Sequence, residues 1–165
     1  MPIEVGSKIP DATLFESTEF GDACPLPPAK VNVSEAVQGK RIVVFGLPGA
    51  FTPTCSSKHV PGYLAELGRL REKGVDEVWC ISVNDGYVMA AWARDQKALG
   101  KIRFLGDGSA ELTKKLGLDV DIPGMGPRVK RFSMLLEDGL IKALNVEAPG
   151  KFEVSDASTM LKQLG

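Results

Sequence analysis

The chain has 165 residues, 44% of them hydrophobic, and its 20 Lys and Arg residues against 21 Asp and Glu residues leave a net charge of −1. This balance gives no electrostatic drive toward nucleic acid or an anionic membrane, and no apolar run approaches the roughly 20 residues of a membrane span. The first residues form neither a signal-peptide core nor an Arg-rich transit segment. We therefore expect a single globular domain over residues 1–165, cytoplasmic, with no nucleic-acid or membrane partner.

The first half of the chain predicts a strand, a loop and a helix. The first forty residues are rich in Pro and Gly, which predicts loops and edge strands. Residues 41–47 are almost continuously apolar and β-branched, which is typical of a strand buried on both faces. Leucines then recur at helical spacing over residues 55–73.

The rest of the chain continues the alternation of strands and helices. Asp138-Gly139 predicts a hairpin turn between the last two strands, while Ser109 and Ser155 are predicted to cap the helices that follow them. The predicted elements are a strand at 77–83, a helix at 88–99, a strand at 102–105, a helix at 109–116, strands at 132–136 and 140–146, and a helix at 155–164. The fold class is therefore α/β, a thioredoxin-like arrangement with a mixed central β-sheet flanked by helices.

Three cysteines, Cys24, Cys55 and Cys80, form no C-x-x-C pair, and the chain has a single histidine, His59. An odd count gives no disulfide framework, and so few scattered ligands do not favour a structural zinc site. Each cysteine is thus a core residue or a reactive thiol. Cys24 is interpreted as an incidental thiol in a Pro-rich loop.

Cys55 lies where a reactive thiol is favoured. It follows a predicted buried strand and opens a predicted helix, the position at which open α/β sheets tend to form ligand sites. A free thiol has a pKa of about 8.5, and the N–H groups and positive dipole end of a helix favour the thiolate, which is the nucleophilic form.

Residues 48–63, PGAFTPTCSSKHVPGY, resemble the active-site loop of the peroxiredoxins, P-x-x-x-T-x-x-C, and in particular its type II or peroxiredoxin 5 branch. The resemblance continues in residues 74–85, 130–139 and 142–147. It implies a thiol peroxidase that needs no cofactor, reduces hydrogen peroxide and small organic hydroperoxides, and forms a homodimer.

The same resemblance implies a role for each matched residue. Cys55 would be the peroxidatic cysteine, and Thr52 the hydroxyl that bonds the thiolate and orients peroxide. Pro48 would shield the pocket from water. Arg131 would stabilise the thiolate and the developing charge, with Arg128 as the alternative if the match is displaced. Arginine suits this role because its guanidinium stays charged and presents a planar fork.

The sequence does not decide which thiol reduces the oxidised Cys55. Cys80 is either a buried core residue or a resolving cysteine, as in plant type II peroxiredoxins, and a bond from Cys55 to Cys80 would require local unfolding. The late resolving cysteine of animal peroxiredoxin 5 has no counterpart after Val146. Otherwise an external thiol, glutathione with glutaredoxin or thioredoxin, reduces the Cys55 sulfenic acid that peroxide forms back to the thiol.

Two other classes of function compete with the peroxidase. One is a non-catalytic thioredoxin-fold binding or chaperone module that keeps the loop as scaffold. The other is a thioredoxin-type disulfide oxidoreductase, which is disfavoured because position 52 is Thr rather than Cys. A Cys55–His59 pair for acyl transfer is spaced correctly along a helix, but His59 is more consistent with a packing and hydrogen-bonding residue near the site.

Overall fold

A computed structural model of the chain describes residues 2–165 and contains nine strands. They are β1 Thr13–Glu16, β2 Ala29–Asn32, β3 Arg41–Gly46, β4 Glu77–Ser82, β5 Arg103–Gly106, β6 Asp119–Ile122, β7 Gly126–Val129, β8 Phe132–Glu137 and β9 Leu140–Val146. Seven of them form one sheet in the order β2-β1-β5-β4-β3-β8-β9, while β6 and β7 form a separate hairpin. The sheet is mixed, because β3, β4 and β5 are parallel and all other neighbours are antiparallel.

The helices flank this sheet. They are α1 Val33–Ala36, α2 Val60–Ala65, α3 Leu67–Glu72, α4 Gly86–Asp95, α5 Glu111–Leu116 and α6 Ala157–Leu164, and a π-helical turn, Cys55–His59, precedes α2. The predicted α/β class, a mixed central sheet flanked by helices, is confirmed. No helix within residues 2–165 combines the length and the apolar character that crossing a membrane requires.

The centre of the sheet is buried on both faces, as the apolar run in β3 predicts. Val43 and Phe45 belong to one hydrophobic cluster, and Ile42 and Val44 belong to the cluster on the opposite face. This alternation follows from the two-residue period of a strand. Each such side chain contributes about 1.5–3 kcal/mol on burial, so the end of β3 is a rigid base for the loop that follows it.

The predicted helix at 55–73 is not continuous. Its first turn is π-helical, with the Val60 N–H donating to the Cys55 carbonyl, and Glu66 departs from helical geometry between α2 and α3. Pro61 has no N–H, so the ordinary i→i+4 ladder cannot continue through the Ser57 carbonyl. Single π turns inside helices are often found at functional sites.

Both predicted serine caps are wrong. Ala110 precedes α5 in a left-handed conformation with φ 57°, and the Asp107 carboxylate accepts the N–H groups of Leu112 and Thr113 at 3.2 and 2.8 Å. The cap of α6 is Asp156 rather than Ser155. A carboxylate two residues earlier or one residue later supplies the acceptor that the serine is expected to supply.

Two short features lie outside the predictions. Helix α1 has four residues, and the β6–β7 hairpin joins two four-residue strands through a turn that contains Pro123 and Gly124. Elements of this length contain too few residues to show a period in the sequence. The hairpin matters for the site because Val120 and Ile122 of β6 line the cleft described below.

Candidate active site

The loop from Leu47 to Thr54 is held at the end of β3. A Cβ on Gly46 would lie 2.1 Å from the Phe132 ring, so only glycine allows β3 to approach β8 at this point. The Ala50 N–H donates to the Asn84 side-chain oxygen at 3.0 Å, which ties the loop to the segment after β4. The start of the loop is thus held close to β8, and its middle is hydrogen-bonded to the segment that follows β4.

Cys55 lies in the first turn of the helical segment that this loop opens, and its side chain is fully buried. Arg131, one residue before β8, donates from Nη2 to the Cys55 sulfur at 3.2 Å. A cation in contact with the sulfur favours its ionised form. The structure therefore brings together a buried thiol and a guanidinium that lie 76 residues apart in the chain.

His59 holds the other side of this guanidinium. Its Nδ1 lies 2.9 Å from Arg131 Nη1, and its Nε2 lies 3.1 Å from the Ser155 carbonyl oxygen. A carbonyl and a guanidinium fix the tautomer: Nε2 donates to Ser155 and Nδ1 accepts from Arg131. Burial, together with the charge of Arg131, lowers the pKa of His59 to about 3, so the ring is neutral at physiological pH.

The Ser155 carbonyl is positioned by Glu147, which directly follows β9. The Glu147 carboxylate accepts the N–H groups of Glu153, Val154 and Ser155 at 2.8–2.9 Å and the Ser155 hydroxyl at 2.7 Å. Burial alone would raise the pKa of Glu147, but these hydrogen bonds outweigh it and hold that pKa below its usual value. Tyr63 also donates to the Ser155 carbonyl, at 2.9 Å.

The other predicted site residues make contacts within the loop that precedes Cys55. The Thr52 hydroxyl donates to the Gly49 carbonyl at 2.7 Å, so its hydrogen is directed to the backbone rather than to Cys55. Its oxygen retains the capacity to accept a hydrogen bond. Arg128 donates from Nη1 to the Pro48 carbonyl at 3.2 Å. Of the two candidate arginines, Arg131 contacts the sulfur and Arg128 braces the loop.

The remaining cysteines lie in contrasting environments. Cys80, in β4, is paired between Phe45 and Phe104 and is fully buried, and burial, with the nearby Cys55, raises its pKa well above the usual value. Cys24 is exposed. All three are free thiols, so a bond between Cys55 and Cys80 would have to form from two buried sulfurs.

A cleft of about 570 Å³ is lined in part by Arg131, whose guanidinium contacts the buried Cys55 sulfur. Its lining also includes Pro48 and Thr54, the residue before Cys55, so the cleft reaches the loop that opens the site. Within residues 2–165, no group of three His, Cys, Asp or Glu side chains is arranged to hold a metal ion. The Cys55 sulfur and the Arg131 guanidinium are the two groups that the chain itself brings into contact at this site.

Comparison with known proteins gives the family. The redoxin family model matches residues 4–161. Peroxiredoxin-2B of Arabidopsis thaliana is 45% identical over 165 residues, which cover 99% of each protein. The chain belongs to the peroxiredoxins of the redoxin family. The crystal structure of reduced Prx3 in complex with H2O2 from Vibrio vulnificus is 43% identical to this peroxiredoxin over 99% of each chain, with a TM-score of 0.92.

A structure from Burkholderia cenocepacia, provisionally described as a thioredoxin reductase, is 52% identical over 98% of each chain, with a TM-score of 0.93. That description names another activity, but the Arabidopsis and Vibrio relatives agree on peroxiredoxin. The thioredoxin-like fold class is confirmed, and the chain is an oxidoreductase, a thiol-dependent peroxidase. Family membership also favours this activity over a non-catalytic binding module.

Sequence reasoning misses three members of the site, Tyr63, Glu147 and Ser155. The sequence predicts Ser155 only as a helix cap, and Glu147 closes a segment that carries family resemblance but no motif. Glu147 and Ser155 are brought together because the eight residues 148–155 fold back onto the Glu147 carboxylate. Nothing in the local pattern of residues 148–155 predicts that return.

Proposed function

We propose that Cys55 is the peroxidatic cysteine of this thiol peroxidase, and that it reduces hydrogen peroxide and small organic hydroperoxides. The observation that supports this proposal is the contact of 3.2 Å between the Arg131 guanidinium and the Cys55 sulfur. A thiolate is the reactive form of cysteine, and a neighbouring cation favours it. The helical first turn at Cys55 acts in the same direction.

The reaction transfers one oxygen atom. The Cys55 thiolate attacks the terminal oxygen of R–O–O–H, the O–O bond breaks, and a sulfur–oxygen bond forms to give the sulfenic acid. The leaving alkoxide takes a proton from water and departs as R–OH. Negative charge grows on that leaving oxygen, where the Arg131 guanidinium would stabilise it more than it stabilises the reactants.

Thr52 and Pro48 complete this proposal. The Thr52 hydroxyl oxygen, whose own hydrogen is directed to Gly49, is free to accept the hydrogen of the bound peroxide. Pro48 lines the cleft together with Arg131, and its apolar ring would exclude water there. Arg128 would then act through the Pro48 carbonyl rather than on the sulfur.

We propose that an external thiol restores the enzyme, either glutathione with glutaredoxin or thioredoxin. The burial of Cys80 and its raised pKa disfavour a spontaneous role as resolving cysteine, because a protonated, enclosed thiol is a poor nucleophile. Mass spectrometry of the peroxide-treated protein with glutathione distinguishes the two routes. A glutathione adduct on Cys55 supports the external thiol, whereas a Cys55–Cys80 disulfide contradicts it.

Stopped-flow mixing with one equivalent of hydrogen peroxide tests the role of Cys55. We expect rapid loss of one thiol at neutral pH, abolished in Cys55→Ser and retained in Cys24→Ser. Retention of the rapid phase in Cys55→Ser would refute the assignment. The Cys24 variant is the matched control because that thiol is exposed and does not line the cleft.

A pair of variants tests the two arginines. Arg131→Lys is expected to slow the oxidation of Cys55 by up to about a hundredfold to a thousandfold, the range typical of losing a donor to a developing anion. Arg128→Lys should slow it less, since Arg128 reaches the site through a carbonyl. A wild-type rate for Arg131→Lys with a large loss for Arg128→Lys would show that the assignment is reversed.

Quaternary structure and compartment stay predictions. We propose a homodimer, which light scattering on the purified chain would test against a monomer. We propose a cytoplasmic location, although relatives include chloroplastic and mitochondrial forms. Fractionation of the source cells with an antibody to the chain would test it.

A further inference from the structure

We infer that the cleft lined by Arg131 binds hydroperoxides that carry an anionic group on an apolar body, and that this peroxidase prefers them to neutral hydroperoxides of the same size. The inference rests on the proposed function, because it names a class of substrate for the same sulfur. The anionic group is a carboxylate, as an oxidised fatty or aromatic acid carries.

The size of the cleft is the first observation. About 570 Å³ is far more space than the two oxygen atoms of hydrogen peroxide require, and it lies within the range of pockets that enclose small organic ligands. Its apolar lining includes Val120 and Ile122 from the β6–β7 hairpin and Phe152 from the loop held by Glu147. These side chains give an organic substituent an apolar surface to contact.

The charge of the lining is the second observation. Lys58, Lys130 and Lys151 line the cleft, and among residues 2–165 none of the three is within 4.0 Å of a carboxylate or donates a side-chain hydrogen bond. Two carboxylates, Glu147 and Glu153, also line it. The four bonds from its own loop already satisfy the Glu147 carboxylate. In a chain with a net charge of −1, this is a local excess of cations that lack partners.

The orientation of a bound substrate follows from these two observations. The hydroperoxide group lies at Arg131, the lining residue that contacts the Cys55 sulfur, and the organic body extends between the β6–β7 hairpin and Phe152. The anionic group then lies among the lysine ammonium groups. The reaction itself is unchanged: sulfur takes the terminal oxygen, and the product is the corresponding alcohol with its anionic group intact.

The test compares two hydroperoxides that differ in one charge, cumene hydroperoxide and its para-carboxylate. Their second-order rates of Cys55 oxidation are measured by stopped flow without reductant, so that an effect on the reductant cannot contribute. We expect the carboxylate to react about fivefold faster, the factor that an exposed ion pair supplies at its upper end. The preference should vanish at an ionic strength of about 1 M, where the Debye length is about 3 Å.

Two triple variants locate the effect. In Lys58→Gln/Lys130→Gln/Lys151→Gln the ratio of the two rates should fall to about one, because the ion pairs that give the preference are gone. Exposed lysines outside the cleft, changed as Lys30→Gln/Lys142→Gln/Lys162→Gln, lower the net charge equally and should leave the ratio at its wild-type value. Because the ratio is taken within each variant, a general loss of rate cancels.

A wild-type ratio near one, or an equal fall of the ratio in both triple variants, would overturn the inference. The second result would assign the preference to overall charge rather than to the cleft. The reaction with hydrogen peroxide distinguishes failure of this inference from failure of the proposed function. If the wild-type protein does not react rapidly with hydrogen peroxide, the proposed role of Cys55 fails; if it does react and the ratio is flat, only the substrate class is wrong.

Discussion

Glu147→Gln is the substitution that probes the site without touching the sulfur, the arginine or the cleft lysines. In the structure this carboxylate accepts hydrogen bonds from three successive N–H groups and from the Ser155 hydroxyl. An amide is neutral and keeps one acceptor oxygen, while its NH2 group faces donors. We therefore expect the loop of residues 148–156 to lose its defined position while the sheet remains folded.

The magnitude can be worked out from the number of bonds. A hydrogen bond to a charged partner contributes about 1 kcal/mol more than a neutral one, so the four donors together lose about 3 kcal/mol after partial relaxation. That loss leaves a domain of ordinary stability folded. The Ser155 carbonyl then shifts, His59 loses its acceptor, and Arg131 loses the geometry of its contact with the Cys55 sulfur. Misplacement by about 1 Å reduces rates by up to about a hundredfold.

The measurements are urea unfolding and the stopped-flow oxidation of Cys55 by hydrogen peroxide. Glu153→Gln is the matched control, because that carboxylate lies on the same loop, is exposed and makes no hydrogen bond within residues 2–165. We expect Glu147→Gln to slow oxidation by at least about tenfold and Glu153→Gln to leave it unchanged. A folded Glu147→Gln protein that oxidises at the wild-type rate would refute the link from this carboxylate to the arginine.

Three further results are expected. His59 is the single histidine, and its ring NMR signals should not titrate between about pH 5 and 8. Because the folded pKa of His59 is lowered to about 3, its contribution to stability is full above its unfolded pKa of about 6.5 and is lost as pH falls toward 3. Titration of the ring near neutrality would contradict the buried, neutral tautomer. Cys80→Ala should preserve multiple turnovers with glutathione and glutaredoxin, and single turnover followed by arrest would make Cys80 the resolving cysteine. The Trp92 indole N–H donates to the Ser56 hydroxyl at 3.1 Å, so oxidation of Cys55 should change tryptophan fluorescence; a change that persists in Trp92→Phe would assign it elsewhere.

Acid should weaken the same loop. The pKa of Glu147 is held below its usual value, so the carboxylate stabilises the folded state at pH values above about 4.3, the ordinary value for glutamate, and this contribution is lost as pH falls through the lower folded value. The free energy of unfolding of the wild type should therefore decline more steeply in acid than that of Glu147→Gln. Equal slopes would contradict the hydrogen bonding at this carboxylate.

The parts of the fold that could be predicted are those whose sequence pattern lies within a few adjacent residues. The β-branched run of β3 and the Asp138-Gly139 turn each carry their signal within a few positions, and both are found where they are expected. The serine caps failed because the competing acceptors, Asp107 and Asp156, differ from them by one or two positions. Local pattern identifies a helix start but does not choose among neighbouring side chains that can all reach the same N–H groups.

In the candidate site, too, local sequence patterns could be predicted and contacts between distant segments could not. The motif around Cys55 indicates which residue types are present, whereas the charge of the site depends on contacts between distant segments. Within residues 2–165, Arg131 forms no ion pair with a carboxylate, and the hydrogen-bond partners of its guanidinium are a neutral imidazole and the sulfur. A carboxylate at position 59 would orient the guanidinium equally well but would neutralise it. Because burial keeps His59 uncharged, the full positive charge remains available to the Cys55 sulfur and, in the proposed reaction, to the oxygen released when the O–O bond breaks.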